Sequence, residues 1–161
     1  MAASASRKTV RLGIVGIGNM GTAHARSILE KKVPRIELTA ICDTDPEALA
    51  KFPVVRGFGD SRALIRSGAV DALLIATPHY DHTSIGVEAL EQGLHILVEK
   101  PISVHKADCE KLIRAYERRP RKEQLFAAMF NQRTDPHYIK LRELIRSGEL
   151  GEIRRLSWII T

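Results

Sequence analysis

Gly16, Gly18 and Gly21 stand at GxGxxG spacing directly after an apolar run, V-R-L-G-I-V, and that spacing is what a pyrophosphate requires of a backbone. The first glycine permits a tight turn out of a strand, the second lets the backbone approach the phosphates, and the third lets helix and strand pack closely. A helix starting near Asn19 would aim its unpaired N–H groups and the positive end of its dipole at the same anion. A glycine-rich turn that binds nothing is the plainer alternative, but the second apolar run, Ile36–Cys42, ends at Asp43, roughly twenty residues beyond Gly21. A carboxylate there accepts both adenosine ribose hydroxyls and repels a 2′-phosphate, which favours NAD over NADP. Thr44 beside it leaves some tolerance for NADP.

Further polar residues follow later apolar runs. Thr77, Pro78, His79 and His82 come after the fourth, Glu99, Lys100 and Pro101 after the fifth, and Asn131, Gln132 and Arg133 after the sixth. Lys100 is the candidate for chemistry, because an ammonium between an apolar strand and a proline is placed at the ligand crevice for acid–base work. Each of the others has a plainer role. His82 either packs at a helix start or contacts cofactor, His79 reads as a solvated loop residue, and Glu99 can pair with a nearby base. His24 and His95 read as structural, since neither lies at the carboxyl end of a strand.

Strands and helices must alternate to bring these residues to one edge. Asp45 and Pro46 cap and start a short helix through residue 52, and residues 54–56 read as a brief third strand. A helix over 61–67 closes at Gly68, and the continuous apolar run 71–76 is that of a parallel strand covered on both faces. A helix over 81–92 ends at Gly93, and His95–Val98 forms the fifth strand. Over 103–118, Cys109, Leu112, Ile113 and Tyr116 mark one buried helix face. Residues 124–130 read as the sixth strand. A last helix with the stripe Tyr138, Leu141 and Ile145 follows Asp135-Pro136, and a final strand covers 153–161. The order predicts an α/β fold, a doubly wound, mostly parallel sheet with ligand at the carboxyl ends of its strands.

The 161 residues amount to about one domain. With 44% hydrophobic and 27% charged residues, the chain has the composition of a globular protein and not of a disordered one. No apolar run approaches the roughly 20 residues of a membrane span, and residues 1–8 read as a flexible leader without the apolar centre of a secretory signal. Cys42 and Cys109 give neither a disulfide framework nor metal-ligand spacing, so no metal site and a cytoplasmic location are expected. The net charge of +6 raises the question of nucleic acid, but the basic cluster Arg118, Arg119, Arg121 and Lys122 has no interleaved aromatic residues and reads as a solvated turn.

G-I-V-G-I-G-N-M-G, I-C-D, A-T-P-H-Y-D-H, H-I-L-V-E-K-P and F-N-Q-R, in this order, resemble the glucose-fructose oxidoreductase, inositol dehydrogenase and rhizopine-catabolism family (Gfo/Idh/MocA) over residues 8–161, with E-K-P the discriminating element. The resemblance implies a Rossmann fold, a nicotinamide cofactor, and hydride transfer at a hydroxyl carbon of a sugar, cyclitol or related polyol. It places Lys100 against substrate and cofactor, with Glu99 as companion and Lys100-Pro101 a candidate cis bond. Gly16, Ile17, Gly18, Asn19, Met20 and Gly21 would hold the pyrophosphate, and Asp43 with Thr44 the ribose. Ala76, Thr77, Pro78 and His82 would line the nicotinamide side, and Asn131 and Arg133 the rim beyond. Members of this family usually carry a second α/β domain that closes over the substrate and supplies further catalytic residues. The expectation is therefore a cofactor domain over 9–150, with 151–161 opening a second domain that is absent. Such a chain would bind cofactor, turn over poorly, and self-associate through its last strand. A non-catalytic dinucleotide-binding, redox-sensing or dimerising module is the alternative.

Overall fold

The computed structural model describes residues 9–159, in two compact units divided between Met129 and Phe130. The first unit carries six strands, β1 (Val10–Val15), β2 (Ile36–Cys42), β3 (Arg56–Phe58), β4 (Ala72–Ile75), β5 (His95–Val98) and β6 (Phe126–Ala128), and five helices between them. These are α1 (Asn19–Leu29), α2 (Pro46–Ala50), α3 (Ser61–Arg66), α4 (His82–Glu91) and α5 (Lys106–Glu117). The strands form one sheet in the order β3-β2-β1-β4-β5-β6, with every pair parallel. This is the doubly wound Rossmann order, and it puts the switch point between β1 and β4.

Side-chain alternation along the strands feeds two separate cores. Leu12, Ile14, Leu38, Ile41 and Leu74 pack with Ala25, Ile28, Ala48 and Phe52 on the face that α1 and α2 cover. Val15, Ala40, Leu73, Ile75, Ile96 and Val98 pack with Leu64, Ile65, Ile85, Leu90 and Leu112 on the face of α3, α4 and α5. Coverage on both faces explains why β1, β4 and β5 read as near-continuous apolar runs.

Five expectations are corrected. The third strand is Arg56–Phe58, not 54–56: Phe52 fills the α1–α2 core, while Val54 is 84% exposed. The fifth helix begins at Lys106, because Ser103 is engaged by a hydroxyl of α4 before the helix starts. Its buried face is narrower than the spacing implied, with Leu112 fully buried and Ile113 exposed. The sixth strand keeps only Phe126–Ala128. No strand forms over residues 151–159, and residues 160 and 161 of that expected strand lie outside the described residues.

The second unit, described over 130–159, holds a 3-10 turn, Asn131–Thr134, and α6 (Pro136–Arg146). Asp135 caps α6 by accepting from the His137 amide at 2.8 Å. Tyr138 faces Trp158 with ring centroids 5.1 Å apart. Among the described residues no helix is long and apolar enough to cross a membrane, and none of the His, Cys, Asp and Glu groups clusters as a metal site would.

Candidate functional site

Parallel pairing continues one residue past each central strand, and this lines up the crevice. Asp43 N donates to Phe58 O, Gly16 N to Cys42 O, Ala76 N to Val15 O and Glu99 N to Ile75 O, at 2.8–3.1 Å. Asp43, Gly16, Ala76 and Glu99 thus stand in one row along the carboxyl edge of the sheet, in the spatial order of their strands.

The glycine turn divides its labour as the spacing requires. Gly16 adopts φ +90°, and a Cβ there would meet the Ala76 carbonyl and Thr77 amide at 2.7 Å. A Cβ on Gly21 would lie 1.8 Å from the Gly16 carbonyl oxygen, so this contact between α1 and the turn admits only hydrogen. A Cβ on Gly18 would meet nothing within 4 Å. That open space sits at the N-terminus of α1, where no side chain caps the helix and no acidic residue stands in the first turn. The helix N–H groups therefore remain for an anion to accept.

Asp43 fixes this turn. Its Oδ2 accepts from the Ile17 amide at 2.6 Å and its Oδ1 from the Asp45 amide at 3.0 Å. Each oxygen has a second lone pair, so the carboxylate keeps acceptors for two hydroxyls while its backbone donors hold it in place. Ile17 is buried in the α1–α2 core, and its carbonyl accepts from Thr22 Oγ1 at 3.1 Å.

A crevice of about 450 Å³ opens along this edge, lined by Gly16, Asp43, Thr44, Thr77 and Pro78 among the expected residues. Its further wall comes from Asp60, Ser61 and Arg62 at the start of α3 and from Ser84, Ile85 and Glu88 of α4, residues that sequence reading missed. Asp60 carries the signal that could have found them. It caps α3 by accepting from the Arg62 and Ala63 amides, and in a parallel sheet the loop after β3 must open on the same edge as the glycine turn. Thr77 Oγ1 is buried with no hydrogen-bond partner, the one such side-chain atom among the described residues. Gly18, Asn19, Met20, Glu99 and Lys100 lie outside the lining of that cavity.

Lys100 is exposed, and the bond to Pro101 is cis. Glu99 is 5% exposed, and its two oxygens are divided between His24 Nε2 at 2.8 Å and the Lys100 amide at 3.2 Å. His24, expected as a structural residue of the first helix, thus meets the E-K-P segment. Its signal was its place three residues after Gly21, on the same face of α1 as the close contact with the turn. His82 is fully buried, with Nδ1 facing the Pro101 carbonyl and Nε2 the Thr77 carbonyl, both at 2.9 Å. Both ring nitrogens face loop carbonyls, the geometry of the packing role that stood as the alternative to a cofactor contact. His79 is exposed and stands edge-on to that ring at 5.5 Å, while His95 accepts from the Leu125 amide at 3.0 Å. Asn131 and Arg133 lie in the second unit, where the Arg133 guanidinium stands 5.9 Å from the Phe130 ring centre.

Residues 10–127 match the model of the Gfo/Idh/MocA oxidoreductase family, NAD-binding Rossmann fold. The chain belongs to that family. It is 36% identical over 154 residues to an inositol 2-dehydrogenase of Corynebacterium glutamicum (strain R), which covers 92% of this chain and 44% of that protein. An inositol 2-dehydrogenase of Salmonella typhimurium is 32% identical over 149 residues, covering 89% and 44%. Among solved structures, scyllo-inositol dehydrogenase from Lactobacillus casei with bound NAD(H) and scyllo-inositol superposes with TM-score 0.83 at 29% identity, over 91% of this chain and 43% of that one. Myo-inositol 2-dehydrogenase from Lactobacillus plantarum superposes with TM-score 0.85 at 25% identity, over 91% and 43%. The chain therefore spans less than half the length of these relatives.

Proposed function

We propose that this chain binds NAD in preference to NADP and forms the cofactor half of a dehydrogenase acting on the CH–OH group of a cyclitol, sugar or related polyol. The observation that carries the reading is the pairing of an uncapped α1 N-terminus behind the open space at Gly18 with a backbone-anchored Asp43 on the crevice wall. The orphaned Thr77 hydroxyl fits the same ligand, since a bound group would satisfy it. A nicotinamide dinucleotide, when bound, supplies the hydride acceptor, and the chain's residues bind and orient. Gly16, Ile17, Gly18, Asn19, Met20 and Gly21 hold the pyrophosphate, and Asp43 with Thr44 the ribose. Thr77 and Pro78 form the wall beside the nicotinamide, next to Ala76 at the end of β4, and Lys100 takes the contact with substrate and cofactor. The substrate class rests on the inositol dehydrogenases named above.

The test is a fluorescence titration of the 161-residue chain with NADH and, separately, NADPH. Saturable NADH binding, tighter than NADPH, supports the reading; a folded chain that binds neither overturns it. Reduction of NAD with myo-inositol, abolished in Lys100→Ala, would extend the reading to turnover. Binding without any turnover would leave a cofactor-binding module.

A further inference from the structure

We propose that His82 and His24 are positioning residues that hold Lys100 from two sides. This rests on the reading of Lys100 as the cofactor-facing residue. Residues 99–105 form an irregular connection between β5 and α5, and an exposed lysine in such a loop has no geometry of its own. The Lys100 ammonium makes no hydrogen bond or ion pair among the described residues, so its position is set entirely by its neighbours' backbone.

Those neighbours are tied at three points, each by a side chain from another element. From α1, His24 reaches Glu99, whose other oxygen accepts the Lys100 amide. From the first turn of α4, His82 reaches the Pro101 carbonyl, and the next residue, Thr83, donates through Oγ1 to Ser103 Oγ at 2.9 Å. The second nitrogen of His82 faces the Thr77 carbonyl, so one ring joins the E-K-P loop to the loop after β4 that lines the crevice. A fully buried imidazole at a helix start contributes little apolar packing that Leu would not supply better. Its polar atoms are explained by the two loops they join. Lys100 is thereby registered against both the helix behind the glycine turn and the crevice wall.

The two nitrogens of His82 allow the positioning role to be separated from a merely structural one. The side-chain nitrogen of Asn occupies the place of Nδ1, and that of Gln the place of Nε2. The clamp takes the ring proton on Nδ1, donating to the Pro101 carbonyl; His82→Asn therefore keeps a donor there, and His82→Gln keeps one only at the Thr77 carbonyl. In the 161-residue chain, ¹H–¹⁵N amide spectra should show the Lys100 resonance displaced in His82→Gln and near its wild-type position in His82→Asn. NADH titration should show about tenfold weaker binding for His82→Gln, within about twofold of wild type for His82→Asn, the scale of one hydrogen bond. That loss should vanish when His82→Gln is made in a Lys100→Ala background, because the ring acts through the lysine. On the other side, His24→Gln should retain the Lys100 amide position and His24→Ala should not.

Equal effects of Asn and Gln on the Lys100 amide would overturn the proposal, as would a binding loss that persists undiminished without Lys100. Should the wild-type chain bind no NADH, the cofactor reading fails, and the amide positions alone judge the clamp by the same criterion. Should His82→Gln fail to fold, the His24→Gln and His24→Ala pair makes the comparison.

Discussion

Gly18→Ala and Gly21→Ala should separate binding from folding within a single turn. Gly18 has φ −72°, which alanine adopts freely, and its Cβ would enter space that no protein atom occupies within 4 Å. Removing unfolded-state entropy at a compatible glycine stabilises by about 0.4–1 kcal/mol, so the melting temperature should stay level or rise by about 1–4 °C for a chain of this size. The same methyl group would fill the space assigned to the pyrophosphate. Loss of one charge-assisted hydrogen bond, about 1.5–3 kcal/mol, corresponds to NADH binding weaker by about ten- to a hundredfold. Gly21→Ala is the reverse case. Its Cβ would sit 1.8 Å from the Gly16 carbonyl oxygen, a backbone atom with no rotamer to change, so α1 or the turn must move by more than an ångström. Overpacking of this kind costs about 1–3 kcal/mol or more, which lowers the melting temperature by about 2–12 °C. Thermal melts monitored by circular dichroism and NADH titration of both variants make the test. Unchanged NADH affinity in Gly18→Ala would refute the assignment of that space to a ligand, and an undisturbed melt in Gly21→Ala would refute the packing argument.

Asp43→Ser should raise NADPH affinity relative to NADH by about tenfold, read by paired titrations, because a carboxylate that repels a 2′-phosphate is gone. It should also loosen the glycine turn, since the Ile17 amide loses its 2.6 Å acceptor. Asp60→Ala removes the cap of α3 and should lower stability by about 1 kcal/mol, or about 2–4 °C in a melt. Burial, with Asp43 and Asp60 adding repulsion, pushes the Cys42 thiol up to about 12, so a disulfide reagent at pH 8 should titrate Cys109 in the native chain and both thiols only after unfolding. From the ordinary 9.0 to about 12 the unfolded chain loses this proton and the native chain keeps it. The contribution of Cys42 is thus fully present below that window and is lost as pH rises through it; denaturant midpoints for Cys42→Ala against wild type at pH 8 and 10.5 should show the difference shrinking.

The central strands were legible because coverage on both faces leaves a continuous apolar run, and His95–Val98 was bounded correctly by Gly93 and by the polar E-K-P that follows. The short edge strands were not. β3 and β6 pair along one edge only, over three residues each, and Phe52 competes with the run 54–56 as the more hydrophobic anchor. The last expected strand shows the same limit: an apolar segment such as S-W-I-I reads as a strand by composition, yet pairing requires a neighbour, and here Trp158 stacks on Tyr138 of α6 instead. At the crevice, motif spacing located the glycine turn and Asp43, since both are constraints on backbone. It did not locate the wall from α3 and α4, nor the meeting of His24 with Glu99, because these are contacts between distant segments, which motif spacing alone does not record.

Stability and placement can be pulled apart at that last pair. Glu99 is 5% exposed, and a buried carboxylate that loses its cation or donor keeps its desolvation penalty without compensation. His24→Leu should therefore destabilise the chain by about 2 kcal/mol, or about 4–8 °C, while His24→Leu combined with Glu99→Leu should recover much of that loss by removing the stranded charge. If the pair existed only for stability, the double variant would also recover NADH affinity. The geometry predicts that it does not, because the carboxylate is also the acceptor that orients the Lys100 amide. A double variant that melts near wild type yet binds NADH several-fold more weakly would assign the pair to positioning. One that regains both would leave it to packing alone, and Lys100 would then owe its place to His82 and the α4 side of the loop.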